Sequence, residues 1–283
     1  MNEIGRSAST EISGLDVDLQ ALAGQAGSEN FPVALRFLPK RPRQRLERVY
    51  AYSRFVDDIG DEAAGNRSAL LDHVERDVRR LHVGSPVLPP VCGMQEIVDD
   101  CDMPLQPMLD LIDANRMDQV VSSYETFDDL LGYCRLSAAP IGLMVLYVAG
   151  AATEPNIADS DQVCAALQVL EHCQDVREDA LSGRVYLPSS EVGELDLAAE
   201  RTSSELRAVV RTQVERSEQL LQPGRALVGR LRGWSKIAVA GYLAGGLATV
   251  DALRAADYDV MARLLKPTNR RTAYHALRLL ASR

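Results

Sequence analysis

An all-α fold is what this 283-residue chain predicts. Apolar residues recur at intervals of three and four along most of it, and alternating strand patterns are nearly absent. No 20–50-residue period suggests a solenoid, and no linker rich in Pro, Gly or Ser divides the chain. The elements follow in order. Arg43–Asp58 sets Leu46, Val49, Tyr50 and Phe55/Val56 at helical spacing, with Pro42 at a first helical position. Ser68–His82 repeats the pattern through Leu70, Leu71, Val74, Val78 and Leu81. Gly84–Pro90 is a Pro-rich break, and a helix resumes over Leu105–Val121. Phe127–Ala149 is mostly apolar, and Pro140 should bend or interrupt it. Asp161–Leu181 reads as one long helix, followed by helices over Ser203–Leu221, Gly224–Thr249 and Ala255–Leu265. The expectation is a poorly ordered tail over residues 1–27 ahead of one domain spanning 28–283.

Composition narrows the function. A hydrophobic content of 46 % supports a sizeable core, and a formal net charge of −9 argues against a nucleic-acid partner. Five cysteines without CxxC spacing suit a reduced, cytoplasmic protein. Residues 1–27 lack the basic start and apolar run of a secretory signal. The uncharged run Leu136–Thr153 approaches membrane-spanning length but holds Pro140, Gly142 and Gly150, so it reads as a buried core helix.

Two acidic clusters carry the chemistry. The first is Asp57-Asp58-Ile59-Gly60-Asp61-Glu62, preceded by Arg54. The second places Gln168, Glu171, Asp175 and Asp179 at intervals of three, four and four. Carboxylates spaced i, i+4 share a helix face and repel by about 0.2–0.5 kcal/mol per pair. Acids near the C-terminal end of a helix also oppose its dipole. Mg²⁺ relieves both penalties, because it binds a few carboxylates together with waters and substrate phosphates. Arg54 suits phosphate oxygens, although i, i+4 salt bridging explains it equally well. Arg184, in the loop Ser182–Pro188, is a further phosphate-seeking cation. The four histidines show no metal-ligand spacing, and Gly241, Gly245 and Gly246 read as close helix packing.

Together these clusters resemble those of the squalene/phytoene synthase family, with the resemblance running from about Ser28 to Leu265. The narrower similarity is to the hydroxysqualene synthase branch. It rests on Asn30-Phe31-Pro32-Val33, on Tyr133-Cys134-Arg135-Leu136-Ser137-Ala138-Ala139-Pro140-Ile141-Gly142, and on Gln174-Asp175, where most members have Arg before the Asp. The resemblance implies an all-α bundle around a central cavity. It assigns metal binding to Asp57, Asp58, Asp61, Glu171, Asp175 and Asp179, with Glu171 standing where the family usually has Asn. Ser28, Asn30, Phe31, Tyr50 and Arg54 fall on positions touching the diphosphate or first prenyl units, with Tyr50 and Arg54 as the catalytic candidates. Tyr133, Ser137, Ile141, Gly142, Val145, Leu167, Gln168, Gln174 and Arg184 complete the substrate-binding set. The implied cofactor is Mg²⁺ without NADPH. The implied partners are a prenyl diphosphate substrate, the enzymes that make presqualene diphosphate and reduce hydroxysqualene, and a peripheral contact with the inner membrane face. Two other readings stand beside it: condensation of two prenyl diphosphates to presqualene diphosphate or phytoene, and a non-catalytic helical assembly protein.

Overall fold

The structure is a computed structural model and describes residues 38–263 and 265–281; Ser28, Asn30 and Phe31 lie outside them. Among the described residues there are thirteen α-helices and no strand ladder, only an isolated parallel bridge between Ser123 and Val185. The helices pack into two compact units that meet in sequence at Val120/Val121.

The first unit contains α1 (Lys40–Asp61), α2 (Arg67–Arg79, continued by a 3₁₀ turn), α3 (Pro89–Cys101) and α4 (Gln106–Met117). Helix α1 packs on α3 and α4. It buries Val49, Tyr52, Val56 and Ile59, spaced three, four and three, together with Phe55. The Tyr52 hydroxyl donates to Met108 O at 2.9 Å, so its polar end is satisfied in the core. Helix α3 is absent from the expected elements, which pass from the Pro-rich break to Leu105. Pro89 and Pro90 open that helix, where their missing N–H groups cost nothing, and Val91, Met94 and Ile97 form its buried stripe.

The second unit contains α5 (Phe127–Ser137), α6 (Ala139–Val148), α7 (Glu154–Gln174), α8 (Val176–Leu181), α9 (Ser189–Val192), α10 (Ser204–Leu220), α11 (Gly224–Arg230), α12 (Gly233–Ala255) and α13 (Asn269–Ala281). Helix α7 is its hub, touching α6, α10, α11 and α12. Thr126 and Asp129 close a reciprocal capping box at the start of α5. Pro140 splits the expected Phe127–Ala149 helix as anticipated, at Ala138.

Three expected helices need correction. Asp161–Leu181 breaks at Asp175, and Gly224–Thr249 divides before Gly233, which adopts a φ of 58°. The helix expected over Ala255–Leu265 does not form: α12 ends at Ala255, Asp257 and Tyr258 take left-handed backbone, and Tyr258 N closes the end of α12 on Leu253 O. The Tyr258 ring is buried beneath the Arg211 guanidinium. The last helix instead begins at Asn269.

Close approach explains two of the glycines in the motifs. A Cβ on Gly142 would fall 2.5 Å from both Cys164 Sγ and Ser160 Oγ, so the bare backbone lets α6 lie against α7. Of the trio in α12, only Gly246 meets a neighbour, Leu167, whereas Gly241 and Gly245 face open space.

Candidate active site

Each acidic cluster is built by one unit. In the first, Tyr50, Arg54, Asp57 and Asp61 occupy one stripe of α1, spaced four, three and four. The first three are half-buried and Asp61 is exposed. Asp58 sits off that stripe. It is buried, and its Oδ1 forms an ion pair with the Arg54 guanidinium, 2.9 Å from Nε, while Glu62 lies 3.7 Å from the same guanidinium. The i, i+4 pairing is therefore realised for Asp58, one of the expected metal-binding carboxylates. Asp57 instead accepts from Asn115 Nδ2 of α4 at 3.2 Å.

Desolvation pushes the Asp57 carboxyl up to about 7. The Asn115 amide opposes the shift, Asp61 adds to it, Arg54 opposes it and Asp58 adds slightly. The end of α1 is held by Arg67, whose guanidinium donates to the carbonyls of Gly60, Asp61 and Ala63 at 2.8–3.0 Å. That cation offsets the negative end of the helix beneath the acids.

Gly60 makes this arrangement possible. A Cβ there would lie 1.9 Å from Asn115 Oδ1, so no other residue lets Asn115 stand where it meets Asp57. Gly60→Ala is expected to displace Asn115 and destabilise the protein by about 1–3 kcal/mol. Chemical denaturation would register this, and unchanged stability would show that Asn115 is free to relax.

In the second cluster, α7 ends at Asp175 (φ −105°, ψ 14°), yet Asp175 N still bonds Glu171 O and Asp179 N still bonds Asp175 O. The carboxylate spacing therefore survives the break. Desolvation, followed by Glu171, Asp179 and Glu178, pushes the Asp175 carboxyl up to about 6, against a weaker opposing influence of His172. Glu171 is exposed, whereas Asp175 and Asp179 are half-buried.

His172 is the residue that sequence reasoning missed. Positions 168, 172, 175 and 179 are spaced four, three and four, so the imidazole shares the face of the aspartates. The search for metal-ligand histidine pairs passes over that signal. His172 is buried, with Nδ1 3.6 Å from Asp179 Oδ2 and Nε2 3.2 Å from Gln168 Nε2. With the proton on Nδ1, toward Asp179, Nε2 accepts from the Gln168 amide. The ring stacks on Tyr186 at 3.7 Å between centroids and 12° between planes. Tyr133 and Tyr124 complete a buried aromatic cluster, with Tyr133 5.6 Å from Tyr186 and 5.3 Å from Tyr124. Tyr133 thus joins the wall that supports His172.

The other expected positions fall as follows. Arg184 is half-buried in a tight crevice with His172, Asp179 and Tyr186. The Gln174 amide donates to Leu265 O and so ties the break in α7 to the segment beyond α12. Ser137, at the kink between α5 and α6, has a buried hydroxyl without a hydrogen-bond partner among the described residues. Val145 is buried, Leu167 half-buried and Ile141 38 % exposed.

Among the described residues no three His, Cys, Asp or Glu side chains converge into a ready-made metal cage. Mg²⁺ does not demand one, since it keeps several waters and takes one or two carboxylates plus substrate phosphates. Asp57 with Asp61, and Asp175 with Asp179, fit that donor chemistry. In each pair one carboxyl holds its proton to pH 6–7, a penalty that a divalent cation removes.

This is an all-α protein with two separate aspartate arrays, one in each unit. The sequence pattern of squalene/phytoene synthases matches residues 25–277, and the chain belongs to that family of prenyl diphosphate synthases. It is 35 % identical over 215 residues to a hydroxysqualene synthase of Sinorhizobium fredii, covering 72 % of each chain. It is 28 % identical to a phytoene synthase of Mycobacterium bovis, covering 83 % of this chain and 82 % of that one. A squalene synthase, HpnC, of Alicyclobacillus acidocaldarius superposes with a TM-score of 0.78 at 35 % identity, over 87 % of this chain and 96 % of that one.

Proposed function

We propose that this enzyme converts presqualene diphosphate and water into hydroxysqualene and diphosphate. The observation carrying this reading is the similarity to hydroxysqualene synthases, 35 % and 31 % identical over about three quarters of the chain. Gln174 supports it: the residue before the second aspartate is a neutral amide donating to a backbone carbonyl, not an Arg available to a second diphosphate.

Asp57 with Asp61 in the first unit, and Asp175 with Asp179 in the second, would each hold Mg²⁺, which when bound supplies charge stabilisation for a departing diphosphate. Asn115 and His172 orient the carboxylates at Asp57 and Asp179. Arg54, one turn before Asp57, adds a fixed positive charge toward leaving-group oxygens, and Tyr50 presents an aromatic face one turn earlier on the same stripe. Breaking the C–O bond leaves a carbocation. Water adds to it, loses a proton and becomes the product hydroxyl. No hydride is consumed, so no NADPH is required. The reaction lies between an enzyme that condenses prenyl diphosphates to presqualene diphosphate and one that reduces hydroxysqualene. The enzyme would work in the cytoplasm.

Incubation of purified protein with presqualene diphosphate and Mg²⁺, without NADPH and in ¹⁸O-water, is expected to yield labelled hydroxysqualene. Phytoene synthases at 28 % identity make condensation the competing reading. Consumption of farnesyl diphosphate with presqualene diphosphate left untouched would establish that alternative.

A further inference from the structure

The chain carries a formal charge of −9, yet its final 24 residues, Val260–Arg283, contain six Arg or Lys and no Asp or Glu. Much of this segment forms α13, which lies against α12. Its inner face is anchored by buried Leu279 and by Asp251, which receives Arg271 Nε at 2.5 Å and His275 Nε2 at 2.6 Å.

The opposite face is unusual for a surface helix. Arg270, Tyr274, Leu277 and Ala281 recur at four, three and four residues, and all four are exposed, Tyr274 by 47 % and Leu277 by 68 %. Arg271 and Arg278 flank this ridge, each guanidinium 5.6 Å from the Tyr274 ring centroid. The helix thus turns one apolar stripe inward and a second, shorter one outward, bordered on one side by arginines.

We propose that the outward face of α13 docks on an anionic lipid bilayer. An apolar ridge bordered by cationic side chains is what an interfacial helix presents: Leu and Tyr enter the headgroup boundary while arginines remain at the phosphates. A nucleic acid would account for the arginines but not for Leu277. The rest of the chain is strongly acidic, so an anionic surface attracts this helix while repelling the remainder. The reading draws on the proposed reaction in one respect, that its substrate is a diphosphate on a long hydrocarbon chain and its product a long-chain alcohol with little solubility in water.

The test is co-sedimentation of the full-length protein with phosphatidylcholine vesicles, with and without phosphatidylglycerol. Binding is expected only with the anionic lipid and should weaken in high salt. Arg270→Glu combined with Arg278→Glu should reduce partitioning about tenfold or more, and Leu277→Asp comparably, with thermal melts unchanged because these side chains are exposed. Equal binding to both vesicle types, or to neither, overturns the proposal. So does a dimer in light scattering that Leu277→Asp dissociates, since a second copy would then cover the face. Turnover measured in detergent, without vesicles, tests the reaction separately: loss of activity there leaves the binding result standing, and the reverse also holds.

Discussion

Asp57→Asn is expected to cut turnover severely while making the metal-free protein more stable at pH 8. The Asp57 carboxyl, half-buried and beside Asp61, is pushed up to about 7 from 3.8. Between pH 4 and 7 the folded chain holds a proton that the unfolded chain has released. Stability therefore falls as pH rises through this window, and the full cost is present above about 7. Three pH units at about 1.4 kcal/mol each set an upper figure of about 4 kcal/mol, and relaxation around a half-buried group brings the expectation to about 2–4. Asn carries no charge and escapes the penalty. Mg²⁺ should reverse the order by stabilising the wild type, more at pH 8 than at pH 6, and leaving the variant little changed. Turnover should fall by at least about a hundredfold, the scale of losing electrostatic support for a leaving group. Denaturation with and without Mg²⁺ at both pH values would check this. A variant less stable than the wild type in metal-free buffer at pH 8 would remove the argument.

His172→Phe should lower kcat/KM by about 10–100-fold and raise the Mg²⁺ concentration needed for half-maximal rate. Phe keeps a flat ring against Tyr186 but loses the nitrogens facing Asp179 and Gln168. Stability should change by no more than about 1–2 kcal/mol, because the stack and its burial are retained. A purely structural role predicts the converse, a marked loss of stability with an unaltered Mg²⁺ requirement. Titrating Mg²⁺ into steady-state assays of the folded variant separates the two.

Much of the site could be read from spacing, because spacing on a helix is geometry. The intervals of four that place Asp57 with Asp61, and Asp175 with Asp179, hold in the structure, the second even across a break in the helix. Contacts between segments distant in sequence were not legible. Asn115 lies 58 residues from Asp57 and carries no motif; it matters because Gly60 leaves room for it. Helix α13 has a weakly apolar sequence and is held by Leu279 and by Asp251 of α12, so its existence depends on tertiary contacts.

The sequence by itself determined the all-helical class and the two carboxylate pairs, since each follows from residue type and local period, and the resemblance of its motifs pointed to the family. Tertiary structure alone decided what packs against each member of the acidic runs. It gave Asp58 to Arg54, set Asn115 on Asp57 and placed His172 between Gln168 and Asp179. The physical reason is that a charge's partner and its desolvation depend on what packs over it, and neither is encoded in its neighbours along the chain.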